Sequence, residues 1–168
     1  MISRNIITDI LQILLLALLQ IFVFNRINIA GQYTPVVYPV FVMFYPFYRN
    51  RYIFLVSAFV LGLAVDAFLG TWGINAFATT LIAYFRSLLF RNSVDNETDS
   101  FSFQSIQWSQ FLFFMAISIL IHQTVVQFLE FFKLNRIPEV LLNILMTSAL
   151  SLIFIILYAL IFKIKQKV

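Results

Sequence analysis

Residues 52–90 read YIFLVSAFVLGLAVDAFLGTWGINAFATTLIAYFRSLLF, two long apolar runs joined by the turn Gly70-Thr71-Trp72-Gly73. At a rise of about 1.5 Å per residue, a helix made from either run approaches the roughly 30 Å of a bilayer's hydrocarbon core. Backbone polar groups in lipid must be satisfied internally, so such runs fold as helices. The turn is too short for anything but an antiparallel hairpin. Two membrane-crossing helices are therefore the starting point.

The same pattern extends in both directions. Upstream lie an apolar run at Ile6–Phe24 and a second at Tyr33–Tyr48, which contains Pro35, Pro39 and Pro46. Proline removes a helix hydrogen bond, so this second crossing is expected to be short and kinked or distorted. The first run is too long for a signal peptide and lacks a small-x-small cleavage triplet. Downstream, a polar stretch at 92–107 with Asp95, Glu97 and Asp99 precedes runs at Ser109–Phe132 and Glu139–Phe162 and a basic tail. The fold class expected is all-α: one integral membrane domain over 1–168, a polytopic bundle of about six transmembrane helices.

Composition agrees. Of 168 residues, 62% are hydrophobic and 11% charged, where a soluble domain carries about 25% charged residues. There is too little polar surface for water. The absence of Cys removes disulfide scaffolds and thiolate metal sites. A net charge of +4 suggests nucleic acid only in a soluble chain; here the basic residues flank apolar runs, and no nucleic acid is expected. With the N-terminus inside, Arg4, Arg49, Arg51, Arg86, Arg91, Lys163, Lys165 and Lys167 fall on the inner side, against Arg26, Lys133 and Arg136 outside. That bias puts both termini and the 92–107 loop in the cytoplasm.

No catalytic constellation is present. The chain has one His, no His-Glu-x-x-His and no phosphate-cradling glycine loop. His122 has no partner at metal-ligand spacing. No cofactor, no metal and no enzymatic activity are expected.

What remains is packing. Gly73, Ala76, Thr80, Ala83 and Ser87 form a small-residue stripe on one helix of the hairpin, and Ala58, Gly62, Asp66 and Gly70 recur every fourth residue on the other. Small residues let membrane helices approach closely. Gly62 and Ala76 are expected at that contact, with Leu61 facing lipid. Asp66 is costly in lipid, about 2.5–3.5 kcal/mol on insertion scales, so it faces protein or water. Counting residues from the bilayer boundary puts Asp66, Gln20, His122 and Asn143 in one layer, which allows an Asp66–His122 contact. An amide retains hydrogen-bonding capacity, so Asp66→Asn is expected to be mild. Other polar residues share helical faces: Asp9, Gln12 and Gln20; Gln123, Gln127 and Glu130; Asn143, Thr147 and Ser151. They point into the bundle or at another membrane protein.

The segment from Gly62 to Ala76, GLAVDAFLGTWGINA, resembles the signature of the rod shape-determining protein MreD family, with Gly62, Asp66 and Gly73 as its matching positions. Size, six crossings and the basic tail are similar too. The resemblance implies a non-enzymatic subunit of the bacterial cell-wall elongation complex in the cytoplasmic (inner) membrane. Its partners there would be a bitopic, mostly periplasmic MreC-like protein, with cell-wall synthases and an actin-like filament alongside. Gly62, Asp66, Gly70, Gly73, Asn75 and Ala76 are then the packing and partner-interface candidates. A rival class is the substrate-binding membrane component of a vitamin-type transporter, which calls for a solute pocket lined with convergent polar groups.

Overall fold

In a computed structural model the chain is described over residues 2–29, 31–47, 49–90, 107–131 and 137–161. These residues form six helices: α1 (Ile2–Phe22), α2 (Val40–Phe44), α3 (Arg51–Leu69), α4 (Ile74–Leu89), α5 (Trp108–Phe131) and α6 (Ile137–Ile161). A single 3-10 turn, Phe24–Arg26, follows α1. No strand occurs among the described residues. Helices α1, α3, α5 and α6 are long and apolar enough to cross a membrane, while α4 is a shorter apolar helix of 16 residues. The chain is an all-α membrane bundle. The polar stretch expected at 92–107 lies outside the described residues except for Gln107, whose carbonyl accepts the Phe111 N–H. The basic tail lies outside them as well.

The proline-bearing second run departs furthest from a regular helix. Only five of its described residues are helical, and extended or turn backbone flanks them. It nevertheless runs alongside α1 for about three turns. Gln20, near the end of α1, bonds its backbone at Pro35 and Val37. Asp9, three turns earlier in α1, bonds the side chains of Tyr45 and Arg49. Those two anchors are about 16 Å apart along α1. Residues 33–47 therefore run antiparallel to α1 from one level of the bundle to the other.

This irregular segment is also the core of the molecule. Tyr38, Phe41, Val42 and Tyr45 pack with Ile13, Leu16 and Ala17 of α1, Phe54, Ala58, Leu61 and Val65 of α3, and Ile82 and Ala83 of α4. From its other side, Val37, Val40 and Met43 pack with Phe111, Met115 and Ile119 of α5 and Ile155 and Ala159 of α6. It thus joins the α1–α3–α4 half to the α5–α6 half. Non-helical backbone at membrane depth is tolerated only when protein covers it, and here it is covered on both sides.

The hairpin α3–α4 holds the closest approach. A Cβ built on Gly62 would lie 2.5 Å from the Ala76 Cα and 2.6 Å from the Asn75 carbonyl oxygen. Gly62 and Ala76 are at the contact, as spacing suggested. Gly70 and Gly73 are not: nothing lies within 4 Å of their would-be Cβ positions. Their role is conformational, since both have left-handed backbones, φ +69° and +85°, which glycine adopts without steric cost. Gly70 closes α3 by donating its N–H to the Asp66 carbonyl at 2.8 Å. Leu61, expected to face lipid, is instead fully buried in the core, because α1 and residues 38–45 cover the flank of α3 next to the hairpin contact.

Candidate functional site

Two polar layers cross the bundle, one near the Trp72 turn and one near Arg49. The first is built around Asp66. In the last turn of α3 this buried carboxylate faces the start of α4, whose N-cap residue is Gly73 and offers no side chain. Asp66 supplies the missing cap from the neighbouring helix. Its Oδ1 accepts the Thr71 hydroxyl at 2.6 Å and both the backbone N–H and side-chain amide of Asn75 at 3.0 Å. Its Oδ2 accepts the Ala76 N–H at 2.8 Å. Three of these donors converge on Oδ1 and one reaches Oδ2, so both oxygens are engaged. The helix N-terminus favours negative charge at that point.

From Asp66 the network continues inward. The Asn75 amide nitrogen also donates to Thr71 Oγ1 at 2.9 Å, which leaves Asn75 Oδ1 to accept the Tyr38 hydroxyl at 2.8 Å. The same Tyr38 oxygen lies 2.9 Å from His122 Nε2. Asp66 and His122 therefore share a network without touching: Asn75 and Tyr38 stand between them. Tyr38, Asn75, Asp66 and His122 are all buried.

Gln20 and Ser151 belong to this level. Gln20 accepts the Val37 N–H at 2.8 Å and donates to the Pro35 carbonyl at 3.1 Å and to Asn25 Oδ1 at 2.9 Å. Ser151 of α6 accepts the Val36 N–H at 2.8 Å and donates to the Thr147 carbonyl at 2.6 Å. These side chains take the place of the helical backbone partners that this non-helical segment lacks. Asn143 does not join them. It lines an open crevice of about 670 Å³ with Gln32, Pro138, Glu139 and Leu142, because α6 carries it about two turns away from Ser151.

The second layer serves the other end of the same segment. Asp9 pairs with Arg49 and accepts the Tyr45 hydroxyl at 2.8 Å. Arg86 of α4 is buried, donates to the Tyr45 carbonyl, and lies over the Phe47 and Phe54 rings, 4.3 and 4.9 Å from their centroids. A planar guanidinium suits such a sandwich. On the remaining faces, Gln12 and Glu130 are exposed while Gln123, Thr147 and Ser151 are buried. The α1 face that points inward is Asp9, Ile13, Leu16, Ala17 and Gln20.

Sequence reasoning missed Tyr38, Tyr45 and the burial of Arg86. A signal existed: three prolines in a crossing leave backbone groups without helical partners, so neighbouring helices must carry polar side chains at matching depth. Among the described residues no group of three or more His, Cys, Asp or Glu could hold a metal ion. Asp66, Asn75, Tyr38, Gln20, Ser151 and Asp9 are engaged with one another, with neighbouring side chains or with backbone.

Comparison with known proteins gives one match. The family model described as rod shape-determining protein MreD covers residues 3–161. No curated protein and no solved structure matches the chain.

Proposed function

Because this chain belongs to the rod shape-determining protein MreD family, we propose that it acts as a rigid intramembrane platform that holds a bitopic, mostly periplasmic partner of the cell-wall elongation complex. It is a multi-pass membrane protein whose function is rod-shape determination. On our reading it catalyses no reaction, and its two termini are cytoplasmic, in keeping with the bias of Lys and Arg.

One observation carries the platform reading. Asp66 accepts four hydrogen bonds, all from within the α3–α4 hairpin. A carboxylate held this way caps a helix, which favours a structural role over the binding of a solute. The lateral surface is correspondingly apolar, with Ile7, Leu11, Leu14 and Leu18 exposed along α1. Such a surface suits lipid and a partner's membrane helix, where packing and not the hydrophobic effect drives association.

A transporter component is the second reading, favoured by the crevice at Gln32, Glu139 and Asn143. Purification from native membranes in mild detergent separates the two. A stoichiometric single-pass partner supports the platform. A chain that purifies alone with a bound small solute supports the transporter and refutes the platform.

A further inference from the structure

One polar side chain on the outside of the bundle lies too deep for its surroundings. The exposed amides and acids of the described helices are Gln12, Gln110, Glu130 and Glu139. Gln110 and Glu139 belong to the first turns of α5 and α6, and Glu130 to the last turn of α5, close to the membrane surface. Gln12 is different. It comes six residues after Ile6, where the apolar span of α1 begins, and so lies about 9 Å into the membrane. That is roughly a third of the way through a hydrocarbon core of about 30 Å. Polar groups at such depth turn toward protein, yet the inward face of α1 is formed by Asp9, Ile13, Leu16, Ala17 and Gln20.

Gln12 also belongs to a pattern. Thr8, Gln12, Leu15, Leu19 and Phe22 are all exposed and recur at alternating spacings of four and three residues, the repeat of a two-helix seam. The adjacent stripe of Ile7, Leu11, Leu14 and Leu18 has the same spacing but is wholly apolar. Spacing does not choose between the two stripes; the amide does. Copies of one chain share one orientation in the membrane, so their α1 helices run parallel. About a two-fold axis, a parallel seam sets each residue opposite its own counterpart. A carboxylate or an ammonium would there meet its own charge. A carboxamide suits the position, because it donates through Nε2 and accepts through Oε1. Gln side chains hydrogen-bond across membrane helices, and one polar residue in an apolar seam fixes its register.

We propose that the Gln12–Leu15–Leu19–Phe22 face of α1 is a homodimer interface, where a second copy of this chain packs in parallel and the two Gln12 carboxamides bond each other. The occupant is a copy and not a foreign helix because the seam supplies both halves of that bond itself. The interface leaves the Ile7–Leu18 stripe uncovered, so it is independent of any other membrane partner.

The chain contains no Cys, so single substitutions along α1 report on this face without background. Membranes from cells expressing each variant are oxidised with copper phenanthroline, and cross-linked species are identified by mass. Leu15→Cys and Leu19→Cys should give disulfide-linked dimers of the chain, with several-fold less from Leu14→Cys and Leu18→Cys. Adding Gln12→Leu to Leu15→Cys should lower the dimer yield several-fold. The unfolding midpoint should stay as it was, since the side chain lies outside the bundle. Equal cross-linking from both stripes would overturn the proposal, as would a Leu15→Cys yield indifferent to Gln12→Leu. A cross-link at Leu15→Cys to a different protein in place of a second copy would overturn it too.

Discussion

The Gln20 side chain binds the backbone at Val37 as a neighbouring strand would: its Oε1 accepts the Val37 N–H at 2.8 Å while its Nε2 reaches the Pro35 carbonyl at 3.1 Å. One amide on α1 thus satisfies a donor and an acceptor that this non-helical backbone leaves without helical partners. An unsatisfied backbone group in hydrocarbon costs several kcal/mol, so this pairing lets residues 33–47 pass through the bundle without a continuous helix.

Removing it should be costly. Gln20→Leu leaves the Val37 N–H and Pro35 carbonyl buried without partners, and each stranded group costs about 1–3 kcal/mol. Ser151→Ala strands the Val36 N–H alone and should cost about half as much. Thermal unfolding in detergent measures both. Ser87→Ala, which removes a hydroxyl bonded locally to the Tyr84 carbonyl on the bundle's rim, should change little. Equal behaviour of all three variants would mean that the segment is not held by these side chains.

Asp66 gives a second test, and the geometry reverses what the sequence suggested. Since every contact to this carboxylate is a donor pointing at it, Asp66→Asn turns one acceptor into an amide that faces an N–H. A loss of about 1–3 kcal/mol is expected. Asp66→Leu should lose more, as the α4 N-terminus and the Thr71 hydroxyl then have no acceptor. Unfolding midpoints in detergent rank the two. An Asn variant as stable as the native chain would contradict the capping role.

Gly62 is the third. Even Gly62→Ala puts a methyl group 2.5 Å from the Ala76 Cα, so α3 and α4 must separate, at about 1–3 kcal/mol. Leu63→Phe, on a lipid-exposed position of the same helix, should be tolerated. Indistinguishable melting temperatures for the two variants would remove the close contact from consideration.

Much of this was legible in residue order. Helices α3 and α4 could be read because both are continuous apolar runs with a glycine-flanked turn, and Gly62 against Ala76 followed from the spacing of small residues. Gly70 and Gly73 shared that spacing for a different reason, since a left-handed turn and a packing stripe both select glycine. Leu61 was misread because a face is assigned from its neighbours on one helix, whereas the segment covering it comes from residues 38–45. Depth alone allowed a direct contact of Asp66 with His122. Depth along separate helices cannot reveal that Tyr38 and Asn75 fill the space between. The prolines announced a distorted crossing but not its partners, which depend on how three other helices dock.

Residues 33–47 are expected to traverse the bilayer, and accessibility at the two ends of the segment tests this. The chain contains no Cys, so single Cys residues placed at Gln32 and Asn50 report without background to a membrane-impermeant reagent. With only five helical residues between them, the two positions are nevertheless predicted to label from opposite sides of the membrane. Labelling of both from the same side would contradict the crossing and, with it, the platform built around it.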